Sequence, residues 1–279
     1  MKLKVLNSKP TNMSFILEET EPHIANALRR TLLTDIPKMA IEDVEFHLGP
    51  IRSEDGKEYE SIAPLFDEII AHRLGLIPLP TDLNIFVRRE ECESCKGEGC
   101  PACTIIYSLN KKGPCLVTSG DLEPIGDSKL KPVDPNIPIV TLGEGQAMLV
   151  YATAILGSAR QHAKWQVTSG VGYKYYPIVE IDNRKMDSAK APVGVCPVNI
   201  LKIRDKKVIV ENIEKCTLCM SCVESFDPGS ISVKGDPTRM IFNFETDGSI
   251  KANEVLLTAL DSLEKKFSLL ASSVETLGG

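Results

Sequence analysis

Eight of the nine cysteines in this 279-residue chain fall into two tight groups, and nothing else in the sequence limits its fold so strongly. The first group is Cys92, Cys95, Cys100 and Cys103, spaced C-x2-C-x4-C-x2-C, and the second is Cys196, Cys216, Cys219 and Cys222. Such spacings suit metal binding better than a disulfide framework. To gather four sulfurs on one centre the chain must turn back on itself, and Gly97 and Gly99 give the first group the backbone freedom to do so. Thiolates that hold metal stay reduced, which implies a cytoplasmic protein. Cys115 belongs to neither group and reads as a small buried side chain.

The run Cys216-Thr-Leu-Cys219-Met-Ser-Cys222 has the C-x2-C-x2-C spacing with which bacterial-type ferredoxins hold three corners of a 4Fe-4S cube. In two-cluster ferredoxins each run continues with x3-C-P, and that last cysteine serves the other run's cluster. Here the continuing position is Phe226. Upstream, Cys196-Pro197 reads as the C-P end of a first run whose leading positions, Met186, Ala189 and Pro192, hold no cysteine. If Cys196 crosses over, one cluster keeps four ligands, Cys196, Cys216, Cys219 and Cys222, and the other is erased. Structural zinc or free thiols are the alternative for this quartet. For Cys92, Cys95, Cys100 and Cys103, tetrahedral Zn is the simplest occupant and a second iron-sulfur centre the alternative. An all-thiolate quartet leaves no open position for a substrate water, so both sites read as structural or redox-responsive, not hydrolytic.

The rest of the chain shows ordinary globular patterning. Met1 to Ile41 predicts a strand pair and then a helix, with Thr20 as N-cap, Pro22 in the first turn, and Ile24, Leu28 and Leu32 along one face. Arg29 and Arg30 lie to the side, and Pro37 stops the helix. A second helix is expected over Pro64 to Leu74, closed by Gly75. Strand-like runs at Leu83 to Val87 and Thr104 to Tyr107 flank the first cysteine group, and Gln146 to Tyr151 is another candidate strand. Near the end, Leu256, Leu260, Leu263, Phe267 and Leu270 alternate steps of four and three, a heptad-like stripe suited to the chain's own sheet or to a subunit interface.

Several functions are excluded or disfavoured. A net charge of -6 argues against a free-standing nucleic-acid binder, which needs a concentrated excess of Lys and Arg, and points to proteins as the main partners. The N-terminus lacks the apolar run of a signal peptide, so export is not expected. The weakly charged stretch Ile137 to Ala159 holds about 13 apolar-rich residues where a membrane span needs about 20, so it reads as core. No phosphate loop, dinucleotide fingerprint, zinc-protease helix or Asp-x-Asp-x-Asp run is present, and Gly143-Glu-Gly145 reads as a turn. The chain is expected to carry no catalytic residue.

Four stretches together resemble the alpha-like assembly subunits of DNA-dependent RNA polymerases, in the archaeal branch related to bacterial alpha and the third-largest eukaryotic polymerase II subunit. Asn26-Ala-Leu-Arg-Arg-Thr-Leu-Leu33 with Ile36-Pro37 and Ala40-Ile41 resembles the first dimerisation helix. Asp67 to Pro78 is similar to the archaeal and eukaryotic segment that follows, and His162-Ala-Lys-Trp165 with Tyr173 to Pro177 to the end of the second domain. Asn253 to Leu260 and the helix beyond resemble the closing dimerisation helix. The resemblance implies an α+β fold: a discontinuous dimerisation domain over residues 1–42 and 235–279, a β-rich second domain over 43–180 with the cysteine loop 92–103, and a ferredoxin-like iron-sulfur insertion over 181–234. It also implies pairing with a small subunit L through the helix stripes, with Arg29 and Arg30 as contacts to a large subunit. Recruitment of the two large catalytic subunits, subunits N and P nearby, and DNA reached only through the complex complete that expectation. A ferredoxin-like electron-transfer subunit of an oxidoreductase is the competing reading, suggested by the Cys216 run alone.

Overall fold

The computed structural model describes residues 1–52, 56–187 and 191–277. In chain order the strands and helices are β1 (Lys2–Lys9), β2 (Asn12–Glu18), α1 (Pro22–Thr34), β3 (Pro37–Phe46), β4 (Ile51–Arg52), β5 (Glu58–Tyr59) and α2 (Asp67–Gly75). There follow β6 (Thr104–Lys112), β7 (Cys115–Thr118), β8 (Glu123–Pro124), β9 (Pro138–Leu142), β10 (Ala147–Ser158) and β11 (Thr168–Ile181). The chain closes with β12 (Leu201–Arg204), β13 (Lys207–Val210), α3 (Ser221–Ser225), β14 (Ile231–Thr246) and α4 (Ala252–Leu277). It is a mixed α/β fold with two compact units, each assembled from separated stretches. One comprises Met1–Ser8, Asn12–Arg29 and Gly170–Phe244, and the other Lys9–Thr11, Arg30–Ser169 and Glu245–Gly279.

The first unit is organised by the sheet β1-β2-β14-β11. On strand β2, Met13, Phe15 and Leu17 share one face and are buried, and Ile16 on the opposite face is buried as well. Phe15 and Tyr173 each stack on Phe242 with ring centroids 5.1 Å apart, tying three strands of the sheet through one aromatic column. A separate apolar cluster, which includes Ile200, Leu201, Val208, Phe226 and Ile231, surrounds the second cysteine group and the β12-β13 hairpin.

The second unit is built on the sheet β3-β10-β6-β8, antiparallel throughout the β3-β10-β6 pairing. Strand β6 shows strict alternation: Ile105, Tyr107 and Leu109 are buried while Ile106 faces out. Central strand β10 carries Met148, Val150, Ala152, Ala154 and Leu156 inward, with a bulge between Thr153 and Ala154 in its pairing with β3. Helix α2 lays Ile70 and Leu74, four residues apart on one face, into this same core.

Three local expectations differ from what is observed. At α1 the N-cap is Glu21, not Thr20: the helix begins at Pro22 and the Glu21 carbonyl accepts from Ile24 and Ala25. Helix α2 does not start at Pro64: Phe66 is extended (φ -61°, ψ 145°) and caps the helix with its carbonyl, which accepts from Ile69 and Ile70. The acidic pair Asp67 and Glu68 then sits in the first turn, where the helix dipole favours negative charge. Leu83 to Val87 is no strand. Asp82 accepts the Asn84 N–H on Oδ1 at 2.9 Å, and its carbonyl accepts from Ile85 and Phe86, so a side-chain-anchored turn outweighs the β propensity of the run.

Helix α1 buries Ala25, Leu28 and Leu32, with Ile24 and Arg29 half-buried and Arg30 exposed. Along α4 the stripe divides: Leu256 is buried, Leu260 and Leu263 are half-buried, and Phe267 and Leu270 are exposed. No helix among the described residues is long and apolar enough to cross a membrane.

Candidate metal centres

The first cysteine group sits on the loop leading into β6. Lys96, Gly97 and Gly99 all adopt positive φ, reversing the chain between Cys95 and Cys100, a conformation in which a Cβ is normally unfavourable. Arg89 holds this reversal from below: its Nε donates to the Gly97 carbonyl at 2.8 Å and its Nη2 to the Glu98 carbonyl at 3.1 Å. The four sulfurs converge, each within 4.8 Å of the others. Cys92 and Cys100 are 3.6 Å apart, Cys95 and Cys103 3.5 Å, and Cys100 and Cys103 3.8 Å. The Gly99 N–H donates to Cys95 Sγ and the Cys100 N–H to Cys103 Sγ, both at 3.3 Å.

These contacts divide the thiols electrostatically. The Gly99 N–H lowers Cys95 to about 6, whereas burial pushes Cys103 up to about 12. Four cysteine sulfurs gathered at these separations can hold a metal ion. Arg89 carried no sequence signal of its own, because its partners are backbone carbonyls of a loop whose shape is not written in local pattern.

The second group is arranged differently. Cys196 follows the short 3-10 turn Val193–Val195, Cys216 follows Ile213–Lys215, and Cys222 lies in α3. Leu218 and Met220 take positive φ, which curls the Cys216 to Cys222 run around its own centre. All four cysteines line one small cavity, whose other walls include the apolar side chains of Val179, Val198, Ile200, Leu201 and Val233. Cys196 and Cys216 are buried, Cys222 is half-buried and Cys219 is exposed. This quartet does not draw its sulfurs together as the first does. Phe226 is buried, and Met186 packs on the same apolar cluster, while Ala189 lies outside the described residues. Cys115 is half-buried against the core of the second unit.

Residues 51–174 match the family described as the RNA polymerase Rpb3/RpoA insert domain. The DNA-directed RNA polymerase subunit Rpo3 of Thermoplasma volcanium is 46% identical over 274 residues, covering 98% of this chain and 99% of that protein. The subunit of the same name from Picrophilus torridus is also 46% identical over 274 residues, with the same coverage. That of Methanosphaera stadtmanae is 38% identical over 273 residues, covering 95% of this chain and 96% of its own. With this identity sustained across nearly the whole of both chains, the protein belongs to the Rpo3 family of DNA-directed RNA polymerase subunits.

Proposed function

We propose that this chain is a non-catalytic assembly platform of an archaeal DNA-directed RNA polymerase, a nucleotidyltransferase complex, in which it pairs with a small subunit L and recruits the two large catalytic subunits. Subunits N and P lie nearby, and DNA is reached only through the complex. The observation that carries this reading is the 46% identity to an Rpo3 polymerase subunit over 98% of the chain. Residues 1–42 and 235–279 form the pairing domain, residues 43–180 the second domain, and residues 181–234 a ferredoxin-like insertion. Within the pairing set, Leu28, Leu32 and Leu256 are buried in this chain and shape the helices from beneath, while exposed Phe267 and Leu270 offer the apolar area a partner covers.

Cys92, Cys95, Cys100 and Cys103 hold one zinc ion in this reading. A tetrahedral ion with Zn–S bonds of about 2.3 Å separates its ligands by about 3.8 Å, close to the 3.5 to 3.8 Å spacings of this quartet. A cube places each thiolate on a different iron and so needs wider spacing. Cys196, Cys216, Cys219 and Cys222 line one cavity with apolar walls, and this reading assigns that wider group to them. They hold one 4Fe-4S cluster, with Cys196 as the ligand from outside the run. Such a group supplies electron capacity and a folding cross-link when bound.

The test is to tag the chain, purify it anaerobically from its native cells, identify co-eluting proteins by mass spectrometry and count metals on the same sample. Both large polymerase subunits with a small alpha-like partner, about four irons and about one zinc per chain are expected. A flavoprotein or dehydrogenase without polymerase subunits would overturn the assembly role.

A further inference from the structure

Strand β11 sends two side chains onto the stretch that delivers Cys216. Lys174 and Tyr176 are two residues apart and therefore share a face of the strand. The Lys174 ammonium donates to the carbonyl oxygens of Glu214 and Cys216, each at 2.7 Å, and the Tyr176 hydroxyl donates to Glu214 Oε1 at 3.3 Å. Tyr176 is braced in turn, with the Arg239 guanidinium 4.3 Å from its ring centroid and Arg239 Nε 2.7 Å from Asp236 Oδ2. Neither the pairing role nor the cysteine count accounts for this arrangement.

Its physical content is specific. Ile213–Lys215 is a single 3-10 turn, and carbonyls at the end of such a turn have no partner within it. Cys216 is only 8% exposed, so water is a poor substitute there. One ammonium, with several donors and a fixed charge, satisfies two of these carbonyls and locks the main chain on both sides of Lys215. The Cys216 carbonyl belongs to the residue that presents the first sulfur of the run, so fixing the one orients the other. The same ammonium brings a positive charge to a site whose ligands are four thiolates.

We propose that Lys174 is a positioning residue for the iron-sulfur site: it pins the Cys216 arm and supplies a fixed positive charge beside the thiolate set, with Tyr176 as the second clamp. The proposal rests on the reading of Cys196, Cys216, Cys219 and Cys222 as cluster ligands. Lys174→Met keeps the bulk but removes donors and charge, Lys174→Gln keeps a donor without charge, and Lys174→Arg keeps both.

The experiment uses the full-length chain and these three variants, purified anaerobically. Iron per chain, iron release to a ferrous chelator and the midpoint potential are measured on each. Lys174→Met should release iron about 10- to 100-fold faster, the usual effect of losing an outer partner of a metal ligand. Its midpoint potential should fall, because removing a nearby positive charge disfavours the added electron. Lys174→Arg should restore both, and Lys174→Gln should restore the release rate alone. Wild-type chain with four irons and a Lys174→Met variant indistinguishable in rate and potential would overturn the proposal. If Lys174→Met does not fold, an unshifted potential in Lys174→Gln overturns it instead. A wild-type chain without iron would remove the ligand reading itself, and this proposal with it.

Discussion

Gly157 lies beneath Trp165, where a Cβ would stand 2.7 Å from Nε1 and closer still to Cε2 and Cδ2. The indole is not free to move aside: it is 5% exposed and its Nε1 donates to the Ile155 carbonyl at 3.2 Å. Gly157→Ala is therefore expected to cost about 1–3 kcal/mol, seen as a lower urea midpoint at unchanged slope. Lys38 poses a different problem. Its side chain is 4% exposed and its ammonium is 2.6 Å from Asp247 Oδ2. Lys38→Met should destabilise by about 1–3 kcal/mol by leaving the half-buried Asp247 carboxylate without its cation, and Lys38→Met with Asp247→Asn should recover part of the loss. Additive losses in that double variant would disprove the coupling. At the first cysteine quartet, ligands must be thiolates, and burial pushes the Cys103 thiol up to about 12. Protons compete for these sulfurs, so metal affinity should fall as pH is lowered from about 8 to about 6, as a competing chromophoric chelator would report.

Asp35, just past α1, receives Arg160 and Lys266, the latter from the middle of α4. Burial acts to raise its pKa, but hydrogen bonds from Arg160 and Lys266 outweigh this and hold it at about 2. Because the folded value is below the unfolded one of about 3.9, the unfolded chain binds more protons between those values. The contribution is complete above about pH 4 and lost as pH falls toward 2. It should amount to about 1–2 kcal/mol after allowing for solvent screening of the two cations. Acid unfolding of Asp35→Asn should lack that part of the slope, and an identical profile would show that the element contact contributes nothing. Past Lys266, every side chain from Phe267 to Thr276 is exposed, including Leu269, Leu270 and Val274. A helix end that buries no side chain among the described residues gains little stability from packing. Phe267→Asp with Leu270→Asp should change the melting free energy by less than about 0.5 kcal/mol yet sharply reduce recovery of the small partner from cells. Undiminished recovery would place the proposed pairing surface elsewhere.

Each compact unit is assembled from stretches far apart in the chain, so its composition is not a local property. Local chemistry was legible: four cysteines at C-x2-C-x4-C-x2-C must meet within one loop, and they do. So were α1, the alternating β6, β10 and the existence of α4, because periodicity and end signals act over a few residues. Leu83 to Val87 misled because a side-chain turn at Asp82 competes at the same short range and leaves no trace in hydrophobic pattern. Tertiary structure alone decided that Gly157 makes room for Trp165, that Lys174 reaches Glu214 and Cys216 some 40 and 42 positions away, and that Arg160 meets Asp35 across 125. It also decided which part of the α4 stripe is buried and which is left exposed. The sequence by itself determined the donor sets and the periodicities, since both depend on neighbours in the chain. The partners of lysines, carboxylates and glycines were settled only when sheet register brought distant residues within the few ångströms at which hydrogen bonds and packing act.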